Sequence, residues 1–387
     1  MNEYKCAPLR ENVEEMFIGP FGSNLKNECF VDEDDAYCMV YEQKHAIQKT
    51  MDVETRYINE KKYNELKRFN IHGGDIIVSC RGTIGETFIV PENAPLGIMH
   101  PSIMKIRLKD GVYDKYYFNL LLKSRLKQHE AEANGSGVKM AISATELGRE
   151  LFPVPTMQEQ RKITDIIAGI SNVIEKRKQE FSELDNLIKA RFVEMSSKWN
   201  VYKLPLSNFL DGITYGFTNP MPDSNVGPWK ITAKDVVQGH VNYDTARKTT
   251  QEAYDMLTSK SKPNVGDVLL TKDGTLGRTA IVENNNICVN QSVAVLRCNN
   301  NVLPRFLALL LQLPEYQAEM TKNSGGGTIK HIYITKVDKM LVKIPDICSQ
   351  KEYVRFVEQV DKSKVAVQKA LNEAQQLFDS LMQEYFG

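Results

Sequence analysis

The stretch Phe152-Pro153-Val154-Pro155-Thr156-Met157-Gln158-Glu159 and the residues after it decide the fold. The prolines favour extended backbone before them, and Thr-x-x-Glu is a capping box that satisfies free amides at a helix start. Apolar residues then recur in steps of four and three, interrupted by Arg177 and Arg191, which predicts a helix over 156–198. At about 1.5 Å per residue it would be roughly 60 Å long, and its apolar stripe needs a partner. The predicted seam of this helix is Ile163, Ile167, Ile170, Ile174, Phe181, Leu184, Ile188 and Met195.

A second long helix is predicted at the end of the chain, over 346–387. Ile344-Pro345 precedes it, and Ser349-Gln350-Lys351-Glu352 offers another capping box. When Pro155 is placed on Pro345, the seam falls on positions that are again mostly apolar: Tyr353, Val357, Val360, Lys364, Val367, Leu371, Ala374, Phe378, Leu381 and Tyr385. Two unrelated amphipathic helices are the alternative, but the shared prolines, glutamine and heptad phase favour a duplicated protein.

The clearest repeat is a hairpin in each half of the chain. Gly74 to Val90 aligns without a gap on Gly266 to Val282, with eight identities in seventeen positions. Each copy predicts two strands joined by a tight turn that requires glycine. The tips differ in chemistry, because Cys80-Arg81-Gly82-Thr83 in the first half corresponds to Lys272-Asp273-Gly274-Thr275 in the second.

Further segments follow in the same order in both halves. A glycine-punctuated opening precedes the hairpin, a short motif follows it, and a predicted helix leads to a glycine-rich loop that ends in lysine. Such a loop can present amides and one cation to a phosphate, and its occurrence in both halves favours this reading over a mobile connector. The segments are Ile18 to Leu25 and Gly212 to Pro220, His100-Pro101-Ser102 and Asn290-Gln291-Ser292, helices 116–128 and 305–317, and loops Asn134 to Lys139 and Ser324 to Lys330.

The predicted fold class is therefore α/β (α+β), a pseudo-symmetric repeat of two globular domains and two long helices that pair as an antiparallel coiled coil. The expected divisions are a first domain at 1–155, the central helix at 156–198, a second domain at 199–345 and the C-terminal helix at 346–387. In this arrangement the paired helices would hold the domains at a fixed separation.

Composition and motifs exclude most enzyme classes. Lysine plus arginine equal aspartate plus glutamate at 49 each, which is not the charge of an autonomous nucleic-acid binder. The seven cysteines form no C-x-x-C pair, and no run of about 18 apolar residues is present, so a cytoplasmic protein without a membrane span is expected. There is no phosphate-loop, H-E-x-x-H or G-x-S-x-G motif, and the six histidines have no metal-ligand spacing. We expect no catalytic residues and no metal site.

Taken together, the paired hairpins, the openings, the glycine loops and the proline-glutamine entries to the long helices resemble the specificity subunit of type I restriction-modification systems. The resemblance covers essentially the whole chain. It implies two target-recognition domains that each read half of a split, asymmetric double-stranded DNA site, with the helices setting the spacer and docking two methyltransferase subunits. It also implies that S-adenosylmethionine belongs to those partners, that motor-nuclease subunits use ATP and Mg, and that this chain has no cofactor. Histidine at position 100 and serine at 349 depart from the pattern of the other half.

Polar side chains at the hairpin tips and neighbouring loops are the candidates for contacts with base edges. They are Ser23, Asn24, Arg81, Thr83, Thr218, Asn219, Lys234, Lys272, Asp273 and Thr275, and Lys139 and Lys330 are the candidates for phosphates. A two-domain coiled-coil scaffold that binds proteins without DNA specificity is the alternative function, and an enzyme is a third, more distant one.

Overall fold

The computed structural model describes residues 4–81, 83–136, 143–237, 239–322 and 331–387, and only the backbone of 132–136. The chain forms two compact units. Unit 1 comprises Met1–Lys178 and Ala370–Gly387, and unit 2 comprises Gln179–Lys369. Within the described residues, no helix is both long and apolar enough to cross a membrane.

Unit 1 contains two four-stranded sheets and a two-stranded ribbon. Its strands are β1 Cys6–Pro8, β2 Val13–Ile18, β3 Cys38–Tyr41, β4 Arg56–Ile58, β5 Asn70–Ile71, β6 Ile76–Ser79, β7 Thr87–Ile89, β8 Gly97–Met99, β9 Ile103–Leu108 and β10 Leu151–Pro153. Its helices are α1 Gln43–Gln48, α2 Glu60–Leu66, α3 Lys115–Ser136 and α4 Ala144–Arg149, followed by α5 Met157–Lys198, which contributes to both units. The sheet orders are β2-β9-β6-β7 and β4-β3-β8-β5, and β1 pairs with β10.

Unit 2 repeats this plan with a smaller second sheet. Its strands are β11 Leu204–Pro205, β12 Leu210–Tyr215, β13 Ser224–Ile231, β14 Val236–Val237, β15 His240–Val241, β16 Arg247–Lys248, β17 Val268–Thr271, β18 Thr279–Ile281, β19 Ile287–Val289, β20 Val293–Cys298 and β21 Leu341–Val342. Its helices are α6 Gln251–Asp255, α7 Pro304–Leu310, α8 Pro314–Thr321, α9 Ile334–Lys339 and α10 Ile347–Phe386, the last shared with unit 1. The sheet orders are β12-β20-β17-β18 and β16-β13-β19, with β14 paired to β15 and β11 to β21.

The first strand of each predicted hairpin is buried on both faces. In β6, Ile76 and Val78 pack into the core that contains α3, whereas Ile77 points into a second core beneath β3 and β8. In β17, Val268 and Leu270 face the helical core and Leu269 the other. Successive side chains of a strand point to opposite faces, so a strand covered on both faces reads as a continuous apolar run. The predicted repeat is confirmed at the level of strands and cores.

Every residue of the predicted seam in α5 and α10 is buried or half-buried. Within unit 1, Ile163 and Ile167 near the start of α5 share a core with Phe386 at the end of α10. Within unit 2, Phe192 near the end of α5 shares a core with Tyr353 at the start of α10. In each unit the two helices therefore pack in antiparallel order.

The capping residue of one helix and the continuation of another were predicted wrongly. The Thr156 and Glu159 capping box is present, with the Thr156 amide donating to Glu159 Oε2 at 2.9 Å. For α10 the cap is Asp346, whose Oδ1 accepts from the Ser349 amide at 3.1 Å, so the cap lies three residues before the predicted Ser349. The predicted helix over 305–317 is two helices, because Pro314 starts α8 and cannot donate an amide to continue α7.

Candidate nucleic-acid interface

Three separate segments of unit 2 meet at Ser292. The Lys272 amide at the hairpin tip donates to the Ser292 carbonyl at 2.9 Å, and the Ala233 amide in the loop after β13 donates to Ser292 Oγ at 3.1 Å. The Ser292 amide donates to Asn290 Oδ1 at 3.1 Å. Because these bonds use only the backbone and two short side chains, those of Ser292 and Asn290, they fix the segments and leave the other side chains free to vary.

The glycine-punctuated opening joins the same edge. The Phe217 amide donates to the Val289 carbonyl at 3.0 Å, and the Gln291 amide donates to the Phe217 carbonyl at 2.8 Å. A Cβ on Gly216 would lie 1.7 Å from the Val289 carbonyl oxygen, so only glycine permits this approach. We call residues 216–219, 232–235, 272–276 and 290–292 the tip edge of unit 2.

Unit 1 builds an equivalent edge. The Cys80 amide donates to the Ser102 carbonyl at 2.8 Å, and the His100 amide donates to the Tyr41 carbonyl at 2.9 Å. A Cβ on Gly19 would lie 2.3 Å from the His100 carbonyl oxygen. The tip edge of unit 1 comprises residues 19–25, 42–45, 80–81, 83–84 and 100–102. In each unit the structure brings together three segments that the sequence repeat had already paired. It adds a fourth, the loop 42–45 of unit 1 and its counterpart 232–235 of unit 2, which the sequence repeat did not pair.

The aspartate of each Gly-Asp turn ties its hairpin to the neighbouring strand of the sheet. Asp75 accepts two hydrogen bonds from Arg107, both at 2.7 Å, and Asp267 accepts two from Arg297 at 3.2 and 3.0 Å. Each arginine lies on the strand next to its hairpin, β9 or β20. The repeat identified both aspartates, but their partners follow only from strand register.

A buried glutamine ties each long helix to its unit. Gln160 has no exposed surface, accepts from the Asp114 amide at 2.7 Å and donates to the carbonyls of Val112 and Pro155. Gln350 makes the same bonds, with the Leu303 amide and with the carbonyls of Asn301 and Pro345. The glutamine shared by the two helix entries therefore fixes the helix to the turn before α3 or α7.

Most of the predicted contact residues are exposed on the tip edges, and their assignments as DNA contacts stay predictions. Arg81 and Asp273 occupy equivalent positions, so a cation at this position of one hairpin tip is replaced by an anion in the other. Exposed candidates are Ser23, Asn24, Arg81, Thr83, Thr218, Asn219, Lys234 and Thr275, whereas Lys272 and Asp273 are half-buried. Lys139 and Lys330 lie outside the described residues.

The tip of unit 2 is held in a small ionic network. Lys272 Nζ lies 2.8 Å from Asp273 Oδ2, and His331 Nδ1 lies 2.5 Å from Asp273 Oδ1. Burial alone would raise the pKa of Asp273, but the hydrogen bonds from His331 and Lys272 and their charges outweigh it and lower the pKa. Lys272 also lies over the ring of Tyr215, 5.5 Å from its centroid. The Lys272 charge is therefore partly neutralised within the protein.

A cleft of about 570 Å³ adjoins this tip edge. Thr218 and Asn219 line it, together with the aromatic rings of Tyr215 and Phe217 and the thioether of Met256. Aromatic and apolar walls with a few amide and hydroxyl groups are typical of surfaces that contact bases. Two predicted contact residues thus share one concave surface.

Sequence reasoning missed the cationic loop of unit 1. Glu42 follows β3, and its buried carboxylate pairs with Arg56 and, at 2.9 Å, with Lys44. Burial would raise the pKa of Glu42, but the hydrogen bonds and charges of Arg56 and Lys44 lower it, so the carboxylate is ionised. Because Tyr41 in β3 corresponds to Ile231 in β13, Lys44 is the counterpart of the predicted Lys234. Strand register would have found it, but the two sequences are dissimilar here.

His100 replaces Asn290 without changing the geometry. Its Nδ1 accepts from the Ser102 amide at 3.2 Å and lies 2.8 Å from Ser102 Oγ, as the Asn290 Oδ1 does for Ser292. The departure from the repeat at this position is therefore a substitution of one acceptor by another.

The described residues contain no group of three or more His, Cys, Asp or Glu side chains that could hold a metal ion. What the two edges offer is a set of donors, acceptors and cations held on a fixed backbone. This arrangement is suited to reading a polar surface.

Comparison with known proteins identifies the repeat. The family model for the type I restriction modification DNA specificity domain matches residues 31–185 and again residues 222–375. The chain is 25% identical to the EcoBI specificity subunit of Escherichia coli over 347 residues, which is 81% of this chain and 72% of that protein. It is 21% identical to the EcoKI specificity subunit of E. coli K12 over 315 residues, 74% of this chain and 65% of that protein.

Solved structures share the fold. A chain from a structural study of complex assembly and conformational transition of the type I R-M system matches with a TM-score of 0.65 and 15% identity, covering 100% of this chain and 98% of that chain. A type I restriction-modification S subunit from M. genitalium matches with a TM-score of 0.52 and 14% identity, covering 100% and 97%. At these identities the likeness concerns the fold alone, and it agrees with the predicted α+β repeat and its long helices.

Proposed function

The chain belongs to the type I restriction modification DNA specificity domain family and carries two copies of the domain, and we propose that each unit reads one half of a split, asymmetric DNA site through its tip edge. The chain is the sequence-recognition subunit of its complex. We assign the setting of the unread spacer and the docking of two methyltransferase subunits to α5 and α10. No observation favours a protein-binding scaffold without DNA specificity.

One observation carries the proposal: the two edges share a backbone hydrogen-bond frame and differ in the side chains mounted on it. The Cys80–Ser102 and Lys272–Ser292 bonds are equivalent, yet the next residue is Arg81 in one tip and Asp273 in the other. A reader of two different half-sites requires a constant frame with variable donors and acceptors.

The chemistry of each tip suggests what it can recognise. Arg81 is exposed, and a guanidinium can donate two hydrogen bonds to O6 and N7 of guanine in the major groove. Asp273 accepts and Lys272 donates, but their mutual ion pair and His331 already use part of that capacity. We therefore assign Arg81 a stronger base preference than either of the unit 2 residues.

Partners complete the activity. Equal numbers of basic and acidic residues leave little net charge for phosphate binding, which supports assembly around DNA with other subunits. We propose that methyltransferase subunits bring S-adenosylmethionine, that motor-nuclease subunits bring ATP and Mg, and that this chain is non-catalytic and holds no cofactor. Because its proposed ligand is genomic DNA, we place it in the cytoplasm.

Methylation mapping tests the proposal. Genomic DNA from a host that expresses this chain with its methyltransferase partner is sequenced for N6-methyladenine, with and without an in-frame deletion of this chain. A bipartite motif with a fixed gap should disappear on deletion, and exchange of one unit for that of another family member should change one half of the motif. An unchanged methylation pattern would contradict the proposal.

A further inference from the structure

We propose that unit 1 carries a phosphate-binding site, formed by Lys44 and Arg56 around the buried carboxylate of Glu42 and flanked by Arg81, and that unit 2 has no counterpart. The site would bind a backbone phosphate of duplex DNA beside the base contacted by Arg81. This inference deepens the proposed function and rests on it.

The Glu42 carboxylate pairs with Lys44 and Arg56 on the side that faces the protein interior. The Glu42 side chain is 9% exposed, whereas those of Lys44 and Arg56 are 29% and 34% exposed. The Arg56 guanidinium is also fixed from another side by the ring of Phe30, whose centroid lies 4.0 Å from its Cζ. An anion approaching from solvent would therefore meet cationic groups that are already ordered, and ordering them is a cost that such a site avoids.

The charges at this site do not cancel. Glu42 is ionised, and it pairs with both Lys44 and Arg56. Among the described residues, no carboxylate lies within ion-pair distance of Arg81. His100 links Arg81 to this cluster, because its Nε2 lies 4.0 Å from Glu42 Oε1 and its Nδ1 lies 2.8 Å from Ser102 Oγ. The Ser102 carbonyl accepts from the amide of Cys80, the residue before Arg81. In agreement with this placement, the charges of Arg81, Lys44, Arg56 and Glu42 all act on the pKa of His100. The one carboxylate and the three basic side chains give this cluster a formal net charge of plus two.

The guanidinium of Arg56 has donors to spare. Arginine carries five N–H groups, and the bond to Glu42 uses one of them. Arginine and lysine together are the usual ligands of nucleic-acid phosphates, and a phosphate at this position would make charge-assisted hydrogen bonds. The site therefore suits a phosphodiester, which carries one negative charge and can accept hydrogen bonds from both Arg56 and Lys44, better than it suits the carboxylate groups of a protein partner.

The equivalent positions of unit 2 are arranged differently. Thr232 replaces Glu42 and donates its hydroxyl to Asp235 Oδ2 at 2.7 Å. Arg247 stands in the register position of Arg56, but its side chain is 69% exposed and pairs with Asp223. At the hairpin tip, Asp273 takes the place of Arg81. Unit 1 should accordingly supply the larger share of salt-dependent affinity.

The test uses the complex of the full chain with its methyltransferase partner and duplexes that contain the mapped site. Lys44→Ala and Arg56→Gln each leave Glu42 one cation and should each reduce the slope of log K against log salt by about one and weaken binding about tenfold, alike for cognate and non-cognate duplexes. Matched controls are Arg247→Gln in unit 2 and Lys61→Ala on α2, which should leave both values unchanged. Thermal unfolding establishes that each variant is folded.

A second arm identifies the ligand. In a series of duplexes, one phosphate at a time is replaced by an uncharged methylphosphonate. In the wild-type complex, replacing the phosphate at one position of one half-site should weaken binding about tenfold. The same replacement should have no effect on binding by Lys44→Ala or Arg56→Gln. Retained sequence selectivity with unchanged slopes and an unchanged methylphosphonate profile would overturn this inference alone. Weakened assembly with the methyltransferase, with normal DNA binding, would assign the surface to a protein and also overturn it. If the wild-type complex does not distinguish cognate from non-cognate duplexes, both this inference and the proposed function are overturned.

Discussion

The two tip edges share their hydrogen-bond frame and differ in almost every side chain exposed on it. Ser102 and Ser292 each receive the amide of a hairpin tip, while Arg81 corresponds to Asp273 and Glu42 to Thr232. The frame uses backbone groups and close glycine contacts, which tolerate little change, and the exposed positions carry no part of it. The comparison teaches that a constant frame allows two copies of one domain to diverge in what they recognise.

Replacing a frame glycine should have the greatest effect. Gly216→Ala would place its Cβ 1.7 Å from the Val289 carbonyl oxygen, so backbone must move, and we expect a loss of about 4 kcal/mol in the free energy of unfolding of unit 2. The control is Gly212→Ala in β12, the strand that ends just before Gly216, where a Cβ meets nothing within 4 Å and the change should stay within about 0.5 kcal/mol. The free energies of unfolding of both variants and of the wild type are measured in urea and compared. Equal stabilities would show that the glycine contact is not part of the frame.

The aspartate anchors should differ between the units. In unit 1 the Arg107 side chain is 18% exposed and bonds Asp75 at 2.7 Å, whereas in unit 2 the Arg297 side chain is 43% exposed and its bonds to Asp267 are longer. Asp75→Asn should therefore cost about 3 kcal/mol, since it removes the buried charge that accepts both Arg107 bonds and leaves Arg107 paired with Glu15 alone, at 2.9 Å. Asp267→Asn should cost about 1 kcal/mol, because solvent screens the exposed arginine. Denaturant unfolding compares the two, and a reversed order would refute the role given to burial.

Arg81→Ala should affect recognition and leave stability unchanged. An exposed arginine that makes two hydrogen bonds to guanine contributes about 2 kcal/mol of discrimination against other bases. We expect the variant complex to lose preference at one base pair of one half-site, measured by competition among duplexes that differ at that position. Thr275→Ala in unit 2 is the comparison and should relax the other half-site by less, because a single hydroxyl bond is replaced. If Arg81→Ala weakens all duplexes equally, the residue contacts only phosphate.

Sequence predicted the parts of this comparison that leave a periodic or repeated signal. The heptad pattern and the hairpin repeat are such signals; the repeat is confirmed, and the predicted seam residues are buried or half-buried. The Glu42 loop was missed because 37–69 has little likeness to its counterpart, and the Lys44–Lys234 equivalence follows only from strand pairing. Lys105 is a further case. It lies fully buried in β9, where its ammonium group forms an ion pair with Glu15. The equivalent residue of β20 is Val295. No local sequence pattern distinguishes a buried lysine from an exposed one. The misplaced cap of α10 arose because Ser349 fits a capping pattern as well as Asp346 does.

The smallest effect concerns pH. Nδ1 of His100 can accept from the Ser102 amide only while it is unprotonated, and Asn290 performs the same task with an oxygen that does not titrate. Burial lowers the pKa of His100; the nearby Glu42 charge opposes this, and the charges of Arg56, Arg81 and Lys44 add to it. Because the unfolded chain binds this proton more readily, the folded state gains stability from His100 above the ordinary pKa of about 6.5 and loses it as the pH falls.

His100→Asn should therefore reduce the acid sensitivity of unit 1 and give it the behaviour of unit 2 at this position. The free energy of unfolding, measured in urea at pH 7.5 and pH 5.5, should fall less on acidification in the variant than in the wild type. His45 is also buried with a lowered pKa, but it is present in both proteins and cancels in the difference. An identical fall in both would mean that His100 binds its proton equally well in the folded and unfolded chain, and that histidine and asparagine at this position do not differ in their effect on acid stability.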